Sequence, residues 1–338
     1  GGRPPIKLPD FVRETGDRIG VSAELRDVLL AALPEFSGRP LLCRLAWHLH
    51  RAFEQAPGMP PVEVRGWPLL PAGIVPHGDL FLAYVFLAST PRVATFYGER
   101  GIPMEVFRET FADFELWIRE HRRRTGNWGL SEHRWLVNHF GGILFQLGRL
   151  QHQFGQFRYP FHAWRHRRTG RVAVLAGAGV RFTADGLVAS ADAGLPLGAP
   201  YALEGGTVRG LLISPRGRAL PHAVSLALAD WENVLTPGDP VLNLHIPAGS
   251  PMDVDQCGLS FRKAREFFPR HFPERPYRAF VCGSWLLDPQ FEGRLRPTSN
   301  IVRFLREVHL FPLPDAGGSA IFQRVFDKPH VEIGRAHV

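Results

Sequence analysis

Four side chains in the second half of the sequence could move a proton or attack a carbonyl: Glu232, His245, Cys282 and Ser284. An imidazole titrates near neutrality and can act as a base there. A carboxylate is a second candidate base. A cysteine thiolate is a strong nucleophile, and a serine hydroxyl can donate a proton. Each has a plainer reading too. His245 could be a hydrogen-bonded core histidine, Cys282 a buried thiol, Ser284 a cap on nearby backbone and Glu232 a surface acid. Trp285 and Asp288 beside them read as packing and as a helix cap. Spacing singles out His245 and the Cys282–Ser284 run, because each sits at or near the end of an apolar segment.

Those segments must position them. Pro240–Ile246 (PVLNLHI) is a short apolar run closed by Pro247-Ala248-Gly249, which suits a buried strand. Asp253 with Gln256 three positions on has capping-box form. Val254, Cys257, Phe261, Ala264 and Phe268 then make one helical face, and Pro269 is expected to stop that helix. Tyr277–Leu287 (YRAFVCGSWLL) reads as a second strand, and Asp288-Pro289 as the start of another helix. Two strands joined by one helix are most simply parallel neighbours. Ligands of such units gather beyond the carboxyl ends of the strands, where His245 and Cys282–Ser284 lie.

HIPAG at 245–249, AREFFPRHFPE at 264–274 and SWLLDP at 284–289 resemble a bacterial acyltransferase family. Its members join an all-helical N-acyltransferase N-terminal domain to a C-terminal domain of the GCN5-related N-acetyltransferase (GNAT) type. WLVNHFGGILFQLGRLQ at 135–151 resembles the end of that helical domain, and the likeness covers most of residues 20–325. The resemblance implies transfer of an acyl group from an acyl-coenzyme A co-substrate to an amine of a small-molecule acceptor. A splayed pair of parallel strands would admit the pantetheine arm, with Leu244, Ile246, Pro247, Ala248, Gly249 and Ser250 along it. The loop departs from the usual GNAT phosphate pattern. PAGSPMDVDQ has one glycine, two prolines without N–H groups, and two aspartates that would repel a pyrophosphate. Arg262, Lys263 and Arg265 are the candidate compensating cations, or else a solvated helix face. The alternative function is a GNAT-like module that binds a ligand or partner without catalysis, so the assignment as an enzyme stays open at this point.

Composition bounds the rest. The chain has 338 residues, 45% of them apolar, enough for two domains with their own cores. Lys+Arg 40 against Asp+Glu 32 gives +8, and lysine occurs only at Lys7, Lys263 and Lys328. That bias fits a GC-rich genome; a nucleic-acid partner is not expected, since no recognition motif accompanies the charge. Cys43, Cys257 and Cys282 form no metal-ligand or disulfide pattern, so no metal is expected and a bacterial cytoplasm is. No apolar run approaches a membrane span; Asp79–Ala88 reads as a buried helix.

The expected class is α+β: an all-helical N-terminal domain, then a GNAT-like mixed sheet flanked by helices. Residues 1–20 are expected to fray, 21–147 to form the helical domain and 148–326 the GNAT-like domain. Glu332–Val338 (EIGRAHV) reads as a translated sequencing adapter, which would leave the natural C-terminus missing. Within the first domain the sequence predicts helices from Ser22 to before Pro34, over Arg39–Gln55 with Leu41, Leu45, Leu49 and Phe53 inward, at 77–89, at Pro91–Gly98, over Pro103–Arg123 and from Ser131. In the second, Val172–Leu175, Gly179–Thr183 and Thr207–Ile213 read as an antiparallel meander leading into the parallel pair. Arg158–His166, rich in aromatics and cations, could face an anionic substrate. Ser299–Val308 reads as a helix, and His309–Leu313 with Ala320–Phe326 as a hairpin.

Overall fold

The computed structural model describes residues 8–54, 64, 66–70, 73–189 and 197–313. The chain divides into two compact units, residues 1–154 with 257–276 and residues 155–256 with 277–338. The expected adapter segment and the second strand of the C-terminal hairpin lie outside the described residues.

The first unit opens with α1 (Pro9–Ile19), where fraying was expected. Its Val12, Thr15 and Ile19 are buried, and that burial holds the helix. Then come α2 (Ala23–Ser37), α3 (Pro40–His50), α4 (Phe81–Glu99), α5 (Met104–Thr125) and α6 (His133–Phe140). Ser22 caps α2 by accepting from Leu25 N–H, as its position predicts. In α3 the buried residues are Leu42, Ala46 and Leu49; Leu49, and Phe53 just beyond the helix, are buried as predicted, while Leu41 is 75% exposed and the first half of the stripe sits one residue later than predicted. Two predicted helices merge into α4, whose residues 81–90 are all buried. Gly78–Glu99 is long and apolar enough to cross a membrane by length and composition, and its most apolar stretch is mostly buried inside the protein, as in a core helix.

Pro34 and Pro269 were expected to end a helix and Pro91 to open a new one, and each lies inside a helix. All three sit on the solvent side. There water can satisfy the carbonyl that the proline leaves unpaired, while the opposite face keeps its burial. The third lies in α7 (Val254–His271), of which residues from Cys257 belong to this unit. Phe267, Phe268 and Phe272 pack on Phe145 with ring centroids 5.1–5.9 Å apart. Arg100 closes the helix end by donating to the His271 carbonyl at 2.7 Å.

Strands β1 (Leu144–Leu147) and β2 (Leu150–Gln156) form an antiparallel hairpin paired from Leu144/Gln153 to Leu147/Leu150. Buried Ser260 of α7 clamps its turn, donating to Leu147 O and accepting from Leu150 N–H. A polar network holds the hairpin to the helices. Asp113 Oδ2 on α5 accepts from Trp135 Nε1 at 3.0 Å and Gln151 Nε2 at 3.0 Å, and pairs with His139 Nε2 at 3.1 Å. His139 is fully buried and Asp113 is 7% exposed. Burial pushes the Asp113 carboxyl up, but the hydrogen bonds and charge of His139, with Gln151 and Trp135, more than reverse that and hold it at about 2.

The second unit carries most of the strands: β3 (Phe161–His166), β4 (Val172–Ala176), β5 (Arg181–Phe182), β6 (Leu197–Gly198), β7 (Tyr201–Glu204), β8 (Thr207–Ile213), β9 (Ala219–Ala227), β10 (Trp231–Leu235), β11 (Pro240–His245) and β12 (Ala279–Val281). The predicted meander does not run into the parallel pair. Six of its strands form their own sheet in the order β10-β3-β4-β8-β7, with β9 also on β8, all antiparallel. Both its faces are apolar. One carries Phe161, Val174, Ala176, Leu211 and Ile213; the other carries Trp164, Ala173, Leu175, Val208 and Leu226. The first face packs against Val241 of β11 and Val281 of β12. Short α8 (Phe291–Arg294) and α9 (Asn300–Arg306) follow, α9 within the predicted Ser299–Val308 helix and capped by Ser299, which accepts from Val302 N–H. Leu310 makes an isolated parallel bridge to Arg216.

The α+β class is therefore as expected, with antiparallel and parallel strands flanked by helices. The Asp113 network gives a test. Asp113→Ala leaves the buried His139 and Gln151 and the half-buried Trp135 without their acceptor and should lower stability by roughly 3–5 kcal/mol in thermal melts near neutral pH. Because the folded carboxyl titrates below its ordinary 3.8, its contribution is whole above that pH and is lost as pH falls through about 2. The gap between variant and wild type should thus narrow only in that acid range.

Candidate functional site

The candidate site is built on β11 and β12, which pair in parallel as the crossover arrangement predicts. Register runs Val241↔Ala279, Leu242↔Phe280 and Asn243↔Val281, and stops there. β11 continues unpaired with β12 through Leu244 and His245, while β12 ends at Val281. The second strand is thus three residues long rather than the predicted eleven. Its continuation turns: Ser284 is extended, and its hydroxyl accepts from Leu286 N–H to cap a single 3-10 turn, Trp285–Leu287. Ser284 caps backbone in this structure, as its plainer reading held. Asp288 accepts from Gln290 N–H at 2.8 Å, and the short α8 that follows has Gln290 at its N-cap with no side-chain cap, so the helix cap predicted for Asp288 is not formed.

His245 and Cys282 accordingly stand just past the last paired residues of neighbouring strands, and both are partly exposed. Cys282 is not part of a disulfide. Leu244 is buried; Ile246 and Pro247 are half-buried; Ala248, Gly249 and Ser250 are exposed. Gly249 adopts φ 104°, a conformation a side chain would strain, so this glycine is what lets the loop turn toward α7. Asp253 accepts from Gln256 N–H at 3.0 Å, the predicted cap of α7. One helical N–H is therefore already engaged at the place where a phosphate would be expected. Arg262 folds back along its helix, its Nη1 lying 3.7 Å from where a Cβ on Gly258 would be.

Glu232 is placed elsewhere. It lies on β10 opposite Arg165, which donates to it at 2.6 and 2.9 Å, and Arg167 lies 3.4 Å away. The Arg165 hydrogen bond lowers its pKa, which weakens it as a base. The Arg158–His166 stretch is divided in the same way. Arg165 is in that ion pair, His166 packs on Trp231, and His162 stacks on Tyr201 at 4.2 Å with Nδ1 2.6 Å from Thr236 Oγ1.

Tyr159 is the residue that sequence reasoning passed over. Its hydroxyl lies 2.9 Å from where a Cβ on Gly283 would stand, so it crosses the backbone just beyond β12. Burial, with Cys282 nearby, pushes the phenol up and keeps it protonated. Only its place inside an aromatic-rich stretch marked it, and nothing local ties it to Gly283.

A second glycine fixes the other strand. A Cβ on Gly155 would come 2.1 Å from Asn243 Nδ2, so Gly155 leaves the space that the last paired side chain of β11 fills. Gly155→Ala should destabilise the protein by roughly 1–3 kcal/mol through overpacking. Adding Asn243→Ala should recover part of that loss, a coupling that denaturant melts of the two single variants and the double variant would measure.

Comparison with known proteins agrees with this geometry. A family model described as a GNAT-like C-terminal domain matches residues 144–337, and one described as an N-acyltransferase N-terminal domain matches residues 10–142. None of the curated proteins compared with the chain matches it. Among solved structures, an acyltransferase in complex with decanoyl-CoA is 28% identical, with a TM-score of 0.64 over 97% of this chain and 80% of that one. An acyltransferase in complex with decanoyl-CoA and teicoplanin is 27% identical, with a TM-score of 0.64 over 94% of this chain and 76% of that one. A further acyltransferase structure, in complex with CoA and 10C-teicoplanin, is 27% identical, with a TM-score of 0.62 over the same shares. The chain belongs to the GNAT-like C-terminal domain family, with an N-acyltransferase N-terminal domain preceding that domain.

Proposed function

We propose that the protein is an acyl-coenzyme A-dependent acyltransferase acting on an amine of a small-molecule acceptor. One observation carries the reading: the parallel pairing of β11 and β12 ends at Asn243 and Val281, while β11 runs on to His245. Backbone groups of Leu244–His245 beyond the last rung are where an extended pantetheine arm can lie. The structures of similar acyltransferases, crystallised with decanoyl-CoA, support this choice of co-substrate. No group of residues suited to a metal ion occurs among the described residues, and acyl transfer between a thioester and an amine does not need one.

The chemistry assigned to the chain's own groups is modest. His245, as a neutral imidazole, takes the proton from the attacking amine, directly or through one water. Tyr159 and Cys282 line the β12 side, and Ser284 orders the turn that follows. The loop Pro247–Met252 with the start of α7 receives the phosphates. Because that loop has two prolines and a capped helix start, phosphate binding is expected to be weaker than in a glycine-rich loop. The acceptor is an amine-bearing small molecule; teicoplanin in a similar protein's structure supports that class and not one compound. A bacterial cytoplasm is the proposed setting, consistent with three cysteines outside any disulfide.

The test uses one variant and two readouts. His245→Gln keeps size and hydrogen bonding but cannot act as a base near neutrality. Turnover of decanoyl-CoA with an amine acceptor should fall by roughly 10²–10⁴-fold, while CoA affinity and melting temperature hold. Normal turnover with a lowered melting temperature would make His245 a structural residue. Calorimetry that finds no binding of CoA or decanoyl-CoA at millimolar ligand would leave only a non-catalytic module.

A further inference from the structure

Tyr159 belongs to a layer of rings beneath the strand ends. Phe157, Tyr159, Phe161 and Phe311 touch one another, with centroids 5.6 Å apart for Phe157/Tyr159, 5.2 Å for Tyr159/Phe311 and 5.1 Å for Phe161/Phe311. Phe157 and Phe161 are buried in the core that also holds Val241 and Val281, the paired residues of β11 and β12. Tyr159 and Phe311 are only partly buried on that core's margin. The aromatic layer therefore ends in half-exposed rings just where the two strands stop pairing. Gly283 makes the approach possible, since any side chain there would meet the Tyr159 hydroxyl.

We propose that Tyr159, admitted by Gly283, is the residue that sets how long an acyl chain the cleft accepts. The inference rests on the acyltransferase reading above. An acyl chain attached at the strand ends needs apolar surface, and the ring layer supplies it. Tyr159 closes that surface: its hydroxyl stands 2.9 Å from where a Gly283 side chain would begin, a polar end-stop that an extra methylene cannot satisfy. Removing the ring extends the apolar path over Phe157 and Phe311; crowding it from Gly283 shortens the path.

The test compares affinities of the full chain for octanoyl-CoA and tetradecanoyl-CoA by calorimetry, as the ratio of the second Kd to the first. Tyr159→Ala should lower that ratio by about tenfold or more, the effect of burying about two further methylene groups. Tyr159→Phe keeps the ring but removes the polar stop, and should lower the ratio by less than Tyr159→Ala does. Gly283→Ala should raise the ratio, which keeps the proposal testable if Tyr159→Ala does not fold. A ratio unchanged in folded Tyr159→Ala, or in Gly283→Ala, overturns it. Absence of any CoA binding by the wild-type chain would instead remove the acyltransferase reading, and this proposal with it.

Discussion

The structure depends on where one strand pair stops. Three rungs between β11 and β12, ending at Asn243/Val281, hold the strands together, and the lack of a fourth opens them. Local chemistry enforces the stop from both sides. Asn243 fills the space above Gly155, so the last rung of β11 is pinned. Beyond Val281, Gly283 accommodates Tyr159 and Ser284 turns the chain into a capped 3-10 turn, so β12 cannot continue.

The six-stranded sheet supports the pair rather than extending it. Its one face meets Val241 and Val281 through Phe161, Leu211 and Ile213. That contact builds the strand pair into a packed core. Fixed supports of this kind place side chains at a strand end more accurately than a loop could. The first unit follows the same logic around the β1–β2 hairpin, with Ser260 at its turn and Asp113 gathering Trp135, His139 and Gln151. Polar groups so deeply buried are tolerated because each donor reaches the same carboxylate.

Much of this was legible because it is local. Caps at Ser22, Asp253 and Ser299 follow from residue type and the apolar spacing behind them. The parallel pair follows from two apolar runs joined by one amphipathic helix. The errors are of two kinds. Prolines at 34, 91 and 269 were read as helix boundaries without knowing which side faced water, and the first half of the α3 stripe was set one residue off for the same reason. Pairings between distant residues carry no local mark. Neither the separate sheet of β3, β4 and β7–β10 nor the approach of Tyr159 to Gly283 can be read from spacing. Glu232 shows the converse: its residue type suited a base, but its register opposite Arg165 made it an ion-pair partner.

The central claim is that the opening past Asn243 and Val281 receives the acyl-CoA. A crystal structure of the chain with decanoyl-CoA tests it most directly. The account predicts the pantetheine extended along Leu244 and His245, with the thioester between the β11 and β12 ends. Decanoyl-CoA bound away from those strand ends, or β11 and β12 pairing continuously past Val281 in the complex, would contradict it.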